Sequence, residues 1–169
     1  NKILITGGNG LVGSEFKGDQ YLKPSSKEYD LTDRDQTYRL MLKEFDGVIH
    51  CAAKVGGLGS NMNYKGEFFY DNVMINTNII EGARLFGVKN LVSFLSTCIF
   101  PDKIEYPLSE NKIHMGPPHH SNDAYAYAKR MVDVQIKAYN EQYGLNYKSV
   151  IPTNIYGPND NYDIINGHV

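Results

Sequence analysis

The stretch Lys2-Ile3-Leu4-Ile5-Thr6-Gly7-Gly8-Asn9-Gly10-Leu11-Val12-Gly13 decides how the whole chain is read. Lys2-Ile3-Leu4-Ile5 is an apolar run too short for a helix and stopped by glycine, which predicts a buried parallel strand. Gly8 to Gly13 then have the spacing G-x-G-x-x-G, and from Thr6 the segment also reads T-G-x-x-G-x-x-G. In such a loop one glycine permits a tight turn, one lets backbone amides approach a pyrophosphate, and one lets helix and strand pack closely. A helix over Leu11 to Lys17 would add its N-terminal partial positive charge. The hexamer alone is weak evidence, and a glycine-rich turn without ligand is the competing reading. Its place between a strand and a helix favours dinucleotide binding.

Working outward, strands are expected near Gln20 to Lys23, over Val48-Ile49-His50-Cys51 with an exit at Ala52-Ala53, over Leu91 to Leu95, and over Tyr147 to Ile151. Helices are expected at 34–44, behind a cap signal in Asp30-Leu31-Thr32-Asp33, and at 66–86 and 123–143, which Gly87 and Gly144 terminate. Residues 98–122 carry Pro101, Pro107, Pro117 and Pro118 and read as a long loop. Strands alternating with helices imply βαβ units: an α/β, Rossmann-like, doubly wound parallel sheet with helices on both faces, in one domain.

The 169 residues are 41% hydrophobic and 21% charged, ordinary for a globular protein. No apolar run is long enough to span a membrane. A net charge of −2 without a basic block argues against nucleic acid as partner. Cys51 and Cys98 are too few for a disulfide framework, which with the lack of a leader segment implies a reducing, cytoplasmic location. No metal-ligand spacing is present.

Where a carboxylate usually closes the second strand to hold an NAD ribose, the chain reads Lys23-Pro24-Ser25-Ser26-Lys27, with Asp30 several residues late. Hydroxyls and a cation suit a 2′-phosphate better, so NADP(H) is the expected cofactor. Tyr125 and Lys129 stand at i and i+4 on one helix face. A nearby ammonium favours phenolate, which would lower the Tyr125 pKa and let it exchange a proton with a carbonyl or alcohol oxygen. Ser96, at the exit of the fourth strand, would bond the same oxygen. Tyr127 is assigned to packing, Cys51 to a buried small hydrophobe, and His114, His119 and His120 are given no role.

The segments Ala52-Ala53-Lys54-Val55-Gly56-Gly57, Leu95-Ser96-Thr97-Cys98-Ile99-Phe100-Pro101, Tyr125-Ala126-Tyr127-Ala128-Lys129, Pro152-Thr153-Asn154-Ile155-Tyr156-Gly157-Pro158, and Asp160-Asn161-Tyr162 through Gly167-His168-Val169 resemble the extended short-chain dehydrogenase/reductase family. Within it the resemblance is to the epimerase–reductases of GDP-4-keto-6-deoxy-D-mannose, and it covers nearly the whole chain. It implies a two-step reaction, 3,5-epimerisation and then C4 reduction with NADPH, giving GDP-L-fucose. Cys98 would be the base and His168 the acid of epimerisation, while Ser96, Tyr125 and Lys129 serve reduction. The cofactor would be held by Gly7, Gly8, Asn9, Gly10, Leu11, Val12, Gly13, Ser26, Asp30, Leu31, Ala52, Ala53, Lys129, Pro152, Asn154, Ile155 and His168. Val55, Gly56, Ser96 and Asn154 would meet the substrate. Asn9 departs from members that carry a basic residue there. A homodimer through helices 66–86 and 123–143 is also implied. So is a substrate-binding region beyond residue 169, which makes this chain the cofactor half of a larger enzyme, inactive by itself. The rival readings are an NAD-dependent sugar-nucleotide 4-epimerase, against which Cys98 argues, and a non-catalytic dinucleotide-binding module, against which Ser96, Tyr125 and Lys129 argue.

Overall fold

A computed structural model describes residues 1–158 and 160, apart from the side chains of Leu58, Ser60 and Asn61. Five parallel strands lie in the order β2-β1-β3-β4-β5: β1 Ile3–Thr6, β2 Tyr21–Leu22, β3 Gly47–His50, β4 Asn90–Phe94 and β5 Asn146–Val150. The helices are α1 Arg34–Met41, α2 Leu58–Asn63, α3 Lys65–Leu85 and α4 Asp123–Tyr143. The sheet is the doubly wound, Rossmann-like arrangement the alternation predicts. Its winding reverses between β1 and β3, and ligands of such sheets bind outside the strand ends at that point.

The register explains the core. Leu4, Val48, Leu91 and Tyr147 stand side by side across four strands. They pack against Leu40 and Met41 of α1, Ile79, Ile80 and Ala83 of α3, and Val132 and Ile136 of α4. Side chains alternate faces along a strand, so all three of these helices cover one face. Right-handed crossovers require it, because β2→β3, β3→β4 and β4→β5 all advance in one direction across the sheet. The single step the other way, β1→β2, was expected to carry a helix over Leu11–Lys17. It carries only a 3-10 turn at Gly13–Glu15. Helices therefore do not cover both faces among the described residues. On the second face Ile49, Val92 and Phe94 remain half-buried, and Val150 is exposed.

The other departures are small. α1 stops at Met41 rather than residue 44, and α2 has no counterpart among the expected helices. Asp33 caps α1 as anticipated, its carboxylate accepting from Gln36 N–H at 3.0 Å. No helix among the described residues is long and apolar enough to cross a membrane, and no cluster of three metal-ligating side chains occurs among them.

Candidate active site

Two adjoining hollows open at the strand ends. The first is a groove of about 910 Å³ beside the glycine loop, and the second a cavity of about 570 Å³ over the exit of β4.

The loop's shape follows from its glycines. Gly7 has a φ of +67°, and a Cβ there would stand 2.8 Å from Ala52 N, so β1 and β3 exits approach closely only without a side chain. A Cβ on Gly13 would fall 2.3 Å from Gly7 O. The loop's internal bonds run from Gly10 N–H to Gly7 O (3.0 Å), Ser14 N–H to Gly10 O (2.9 Å) and Glu15 N–H to Val12 O (3.2 Å). The Leu11 and Val12 amides are thus left without a backbone partner among the described residues. These amides, rather than the dipole of a helix, are what the loop offers a phosphate.

Behind the loop lies a buried polar relay. Ala52 N–H donates to Thr6 Oγ1 at 3.2 Å, the Thr6 hydroxyl meets His50 Nδ1 at 2.7 Å, and His50 Nε2 meets Asn76 Oδ1 at 2.9 Å. The asparagine carbonyl requires a proton on Nε2, so Nδ1 accepts from the threonine. Burial and the nearby Lys129 charge push the His50 pKa down to about 3, which keeps it neutral. His50 ties α3 to the wall of the groove.

The groove is lined by Gly7, Gly8, Asn9, Gly10, Leu11, Val12, Gly13, Ser26, Asp30, Leu31, Ala52, Ala53, Lys129 and Pro152, all among the residues that the resemblance assigns to the cofactor. Ser25, Lys27 and Cys51 join them. Asp30 spends its carboxylate on Thr32, accepting from its N–H at 2.9 Å and its hydroxyl at 2.7 Å. Burial raises the Cys51 thiol to about 11, in keeping with an inert role. Ile155 lines neither hollow and is 41% exposed. His168 lies outside the described residues.

Ser96, Cys98, Tyr125, Val55, Gly56 and Asn154 line the cavity together. β4 ends at Phe94, and Ser96 then caps a 3-10 turn over Thr97–Ile99, its hydroxyl accepting from Cys98 N–H at 3.4 Å. Tyr125 enters from the first turn of α4, lining both hollows, and Lys129 lies one turn below it. The outer wall comes from the 101–122 loop, with Asp102, Tyr106 and His119. No local pattern marks His119 as a wall residue. It gets there because Asp102 N–H bonds Pro117 O at 2.9 Å and Lys65 Nζ bonds His120 O at 2.7 Å, both long-range contacts.

The expected lowering of the Tyr125 pKa is not what the geometry gives. Burial pushes it up, and the Cys98 side chain pushes it further. Lys129 Nζ stands 5.9 Å from the ring centroid and donates instead to Phe94 O at 2.9 Å. Buried at 2% exposure, its own pKa falls to about 8. Tyr125 is therefore a phenol poised to donate rather than a phenolate. Burial also raises the Cys98 thiol, against the Ser96 hydrogen bond and the charges of Lys129 and Arg130, which pull it down.

A glycine loop at the switch point and a Ser–Tyr–Lys set at the neighbouring strand ends define a dinucleotide-binding domain of the short-chain dehydrogenase type. The sequence pattern of the NAD dependent epimerase/dehydratase family matches residues 3–169, and the chain belongs to that family. It is 51% identical to a GDP-L-fucose synthase of Dictyostelium discoideum, over 99% of this chain and 55% of that protein. With a probable GDP-L-fucose synthase of Drosophila melanogaster it shares 47%, over 99% of this chain and 56% of that one. The crystal structure of a GDP-L-fucose synthetase from Naegleria fowleri bound to NADP matches with a TM-score of 0.90 at 48% identity, covering 100% of this chain and 58% of the other. The chain spans about half the length of the curated relatives it matches.

Proposed function

We propose that this chain is the cofactor half of an NADPH-dependent enzyme that epimerises GDP-4-keto-6-deoxy-D-mannose at C3 and C5 and reduces C4, giving GDP-L-fucose. The observation that carries the reading is the convergence of Ser96, Cys98 and Tyr125 on one cavity beside the glycine-loop groove. Relatives named as GDP-L-fucose synthases, and the NADP-bound Naegleria fowleri structure, support the same product and cofactor.

The groove fits NADP(H). Free amides at Leu11 and Val12 suit the pyrophosphate, and Ser25, Ser26 and Lys27 offer hydroxyls and a cation to a 2′-phosphate. When bound, the cofactor supplies hydride to C4. Lys129, which lines the groove, would hold the nicotinamide ribose. Cys98, as thiolate, removes the protons alpha to the ketone, and Ser96 and Tyr125 stabilise the enolate oxygen. His168 returns the protons on the opposite face, a role taken from the resemblance alone. In the second step the Tyr125 phenol, which its raised pKa keeps protonated, donates its proton to the C4 oxygen as the alkoxide forms. The GDP would be gripped by a further region beyond residue 169. Two copies would pair through α3 and α4, whose outer surfaces expose Phe69, Tyr70, Tyr127, Met131 and Val134. The enzyme would work in the cytoplasm on a small molecule, with neither nucleic acid nor membrane as partner.

In the full-length enzyme, Cys98→Ser should abolish deuterium uptake from solvent at C3 and C5 while sparing reduction of an already epimerised substrate. Epimerisation at the wild-type rate would remove the base assignment. Tightly retained NAD with no NADPH oxidation on the keto sugar would favour a 4-epimerase instead, and unchanged NADPH oxidation in Tyr125→Phe would favour a non-catalytic module.

A further inference from the structure

Cys98 sits in a single turn, and that turn is held from below by one side chain of α4. Arg130 Nε donates to Ile99 O at 2.6 Å, within the core. Arg130 is 6% exposed, and its guanidinium lies 5.3 Å from the Tyr127 ring centroid. Its Nη2 is buried without a hydrogen-bond partner, and no carboxylate pairs with it among the described residues. A buried guanidinium left without a counter-ion is costly, and a methionine would fill the same space without that penalty. A charge kept under such conditions acts on its neighbours through a medium that screens it poorly.

We propose that Arg130 is a positioning residue for Cys98: it fixes the Thr97–Ile99 turn through the Ile99 carbonyl and, with its charge unneutralised, favours the Cys98 thiolate over the thiol. This rests on the proposed role of Cys98 as the base. The other groups facing Cys98 are Lys129 and Tyr125 from α4, Ser96 from the β4 exit, and Asp102 and His119 from the loop across the cavity. Asp102 Oδ1 lies 4.0 Å from His119 Nε2. Lys129 is the second cation, yet burial brings its pKa to about 8, so its charge fades over the range where thiols titrate. A guanidinium keeps its charge throughout that range. Arg130 thus supplies the pH-independent part of the field.

The test is the pH dependence of iodoacetamide alkylation at the Cys98 peptide, read by mass spectrometry on the full-length, NADP-loaded enzyme. Arg130→Met should move the midpoint up and slow alkylation at pH values below it. Arg130→Gln, which keeps a donor for Ile99 O without charge, should move it as far. Arg130→Lys should restore most of the wild-type profile. Deuterium uptake at C3 and C5 should fall by a similar factor in the two neutral variants. A wild-type alkylation midpoint in either folded neutral variant overturns the inference. Should Cys98→Ser epimerise normally while the alkylation shift persists, the base assignment fails and the electrostatic role of Arg130 stands.

Discussion

Lys129 is a buried ammonium with one hydrogen bond, to Phe94 O, and a pKa near 8 against an ordinary value of 10.5. A native state that binds its proton less tightly than the unfolded chain gains stability as pH rises between those two values. Below pH 8 both states are protonated and the burial penalty is complete; above it the native amine sheds its proton first. Between pH 7 and 9.5 this linkage amounts to about 2 kcal/mol of added stability. Lys129→Met deletes the linkage. It also leaves Phe94 O without its donor, at a pH-independent cost of about 1–3 kcal/mol. The stability of the variant relative to wild type should therefore fall by about 2 kcal/mol as pH goes from 7 to 9.5, whatever its starting sign. Urea unfolding of both proteins at pH 7, 8 and 9.5 reads this directly. A difference that stays constant across the three pH values would refute the argument, since it would mean that Lys129 titrates alike in the folded and unfolded chain.

Gly13→Ala would place a methyl 2.3 Å from Gly7 O, and relief to an ordinary contact of 3.4 Å must displace the loop by about 1 Å. Loss of one or two amide bonds to phosphate at about 1.5 kcal/mol each predicts NADPH binding weaker by roughly 10- to 100-fold, measured by fluorescence titration. His50, held neutral with a pKa of about 3 against an ordinary 6.5, should make the protein lose stability as pH falls below 6.5. The loss to pH 5 is about 1.5 kcal/mol, and chemical denaturation of His50→Gln should show that slope removed.

The features legible in the sequence are those encoded by spacing. The glycine loop, the bounds of α3 and α4 to within one residue, and the i,i+4 pairing of Tyr125 with Lys129 depend on local periodicity and breakers. The helix at Leu11–Lys17 failed because the leftward crossover is closed by a tight turn at Gly18, whose φ is +129°. The direction of the Tyr125 shift was not legible, because it comes from burial of the phenol in the folded chain and from Cys98 across the cavity, while Lys129 spends its ammonium on a carbonyl 35 residues away. Arg130 escaped notice for a related reason. One position beyond a recognisable lysine, its meaning lies in a contact with Ile99 that no pattern within α4 encodes.

The one-sided layering of the sheet governs how this length of chain behaves in solution. Ile49 and Val92 share one row of the second face, between the fully buried Ile5 and the exposed Lys148, with Phe94 and Val150 in the next row along. Ile49, Val92 and Phe94 are half-buried there, and Val150 is exposed. Such a strip gives folded molecules a means of adhering to one another without unfolding. Concentration, more than temperature, would then decide whether these 169 residues stay dispersed.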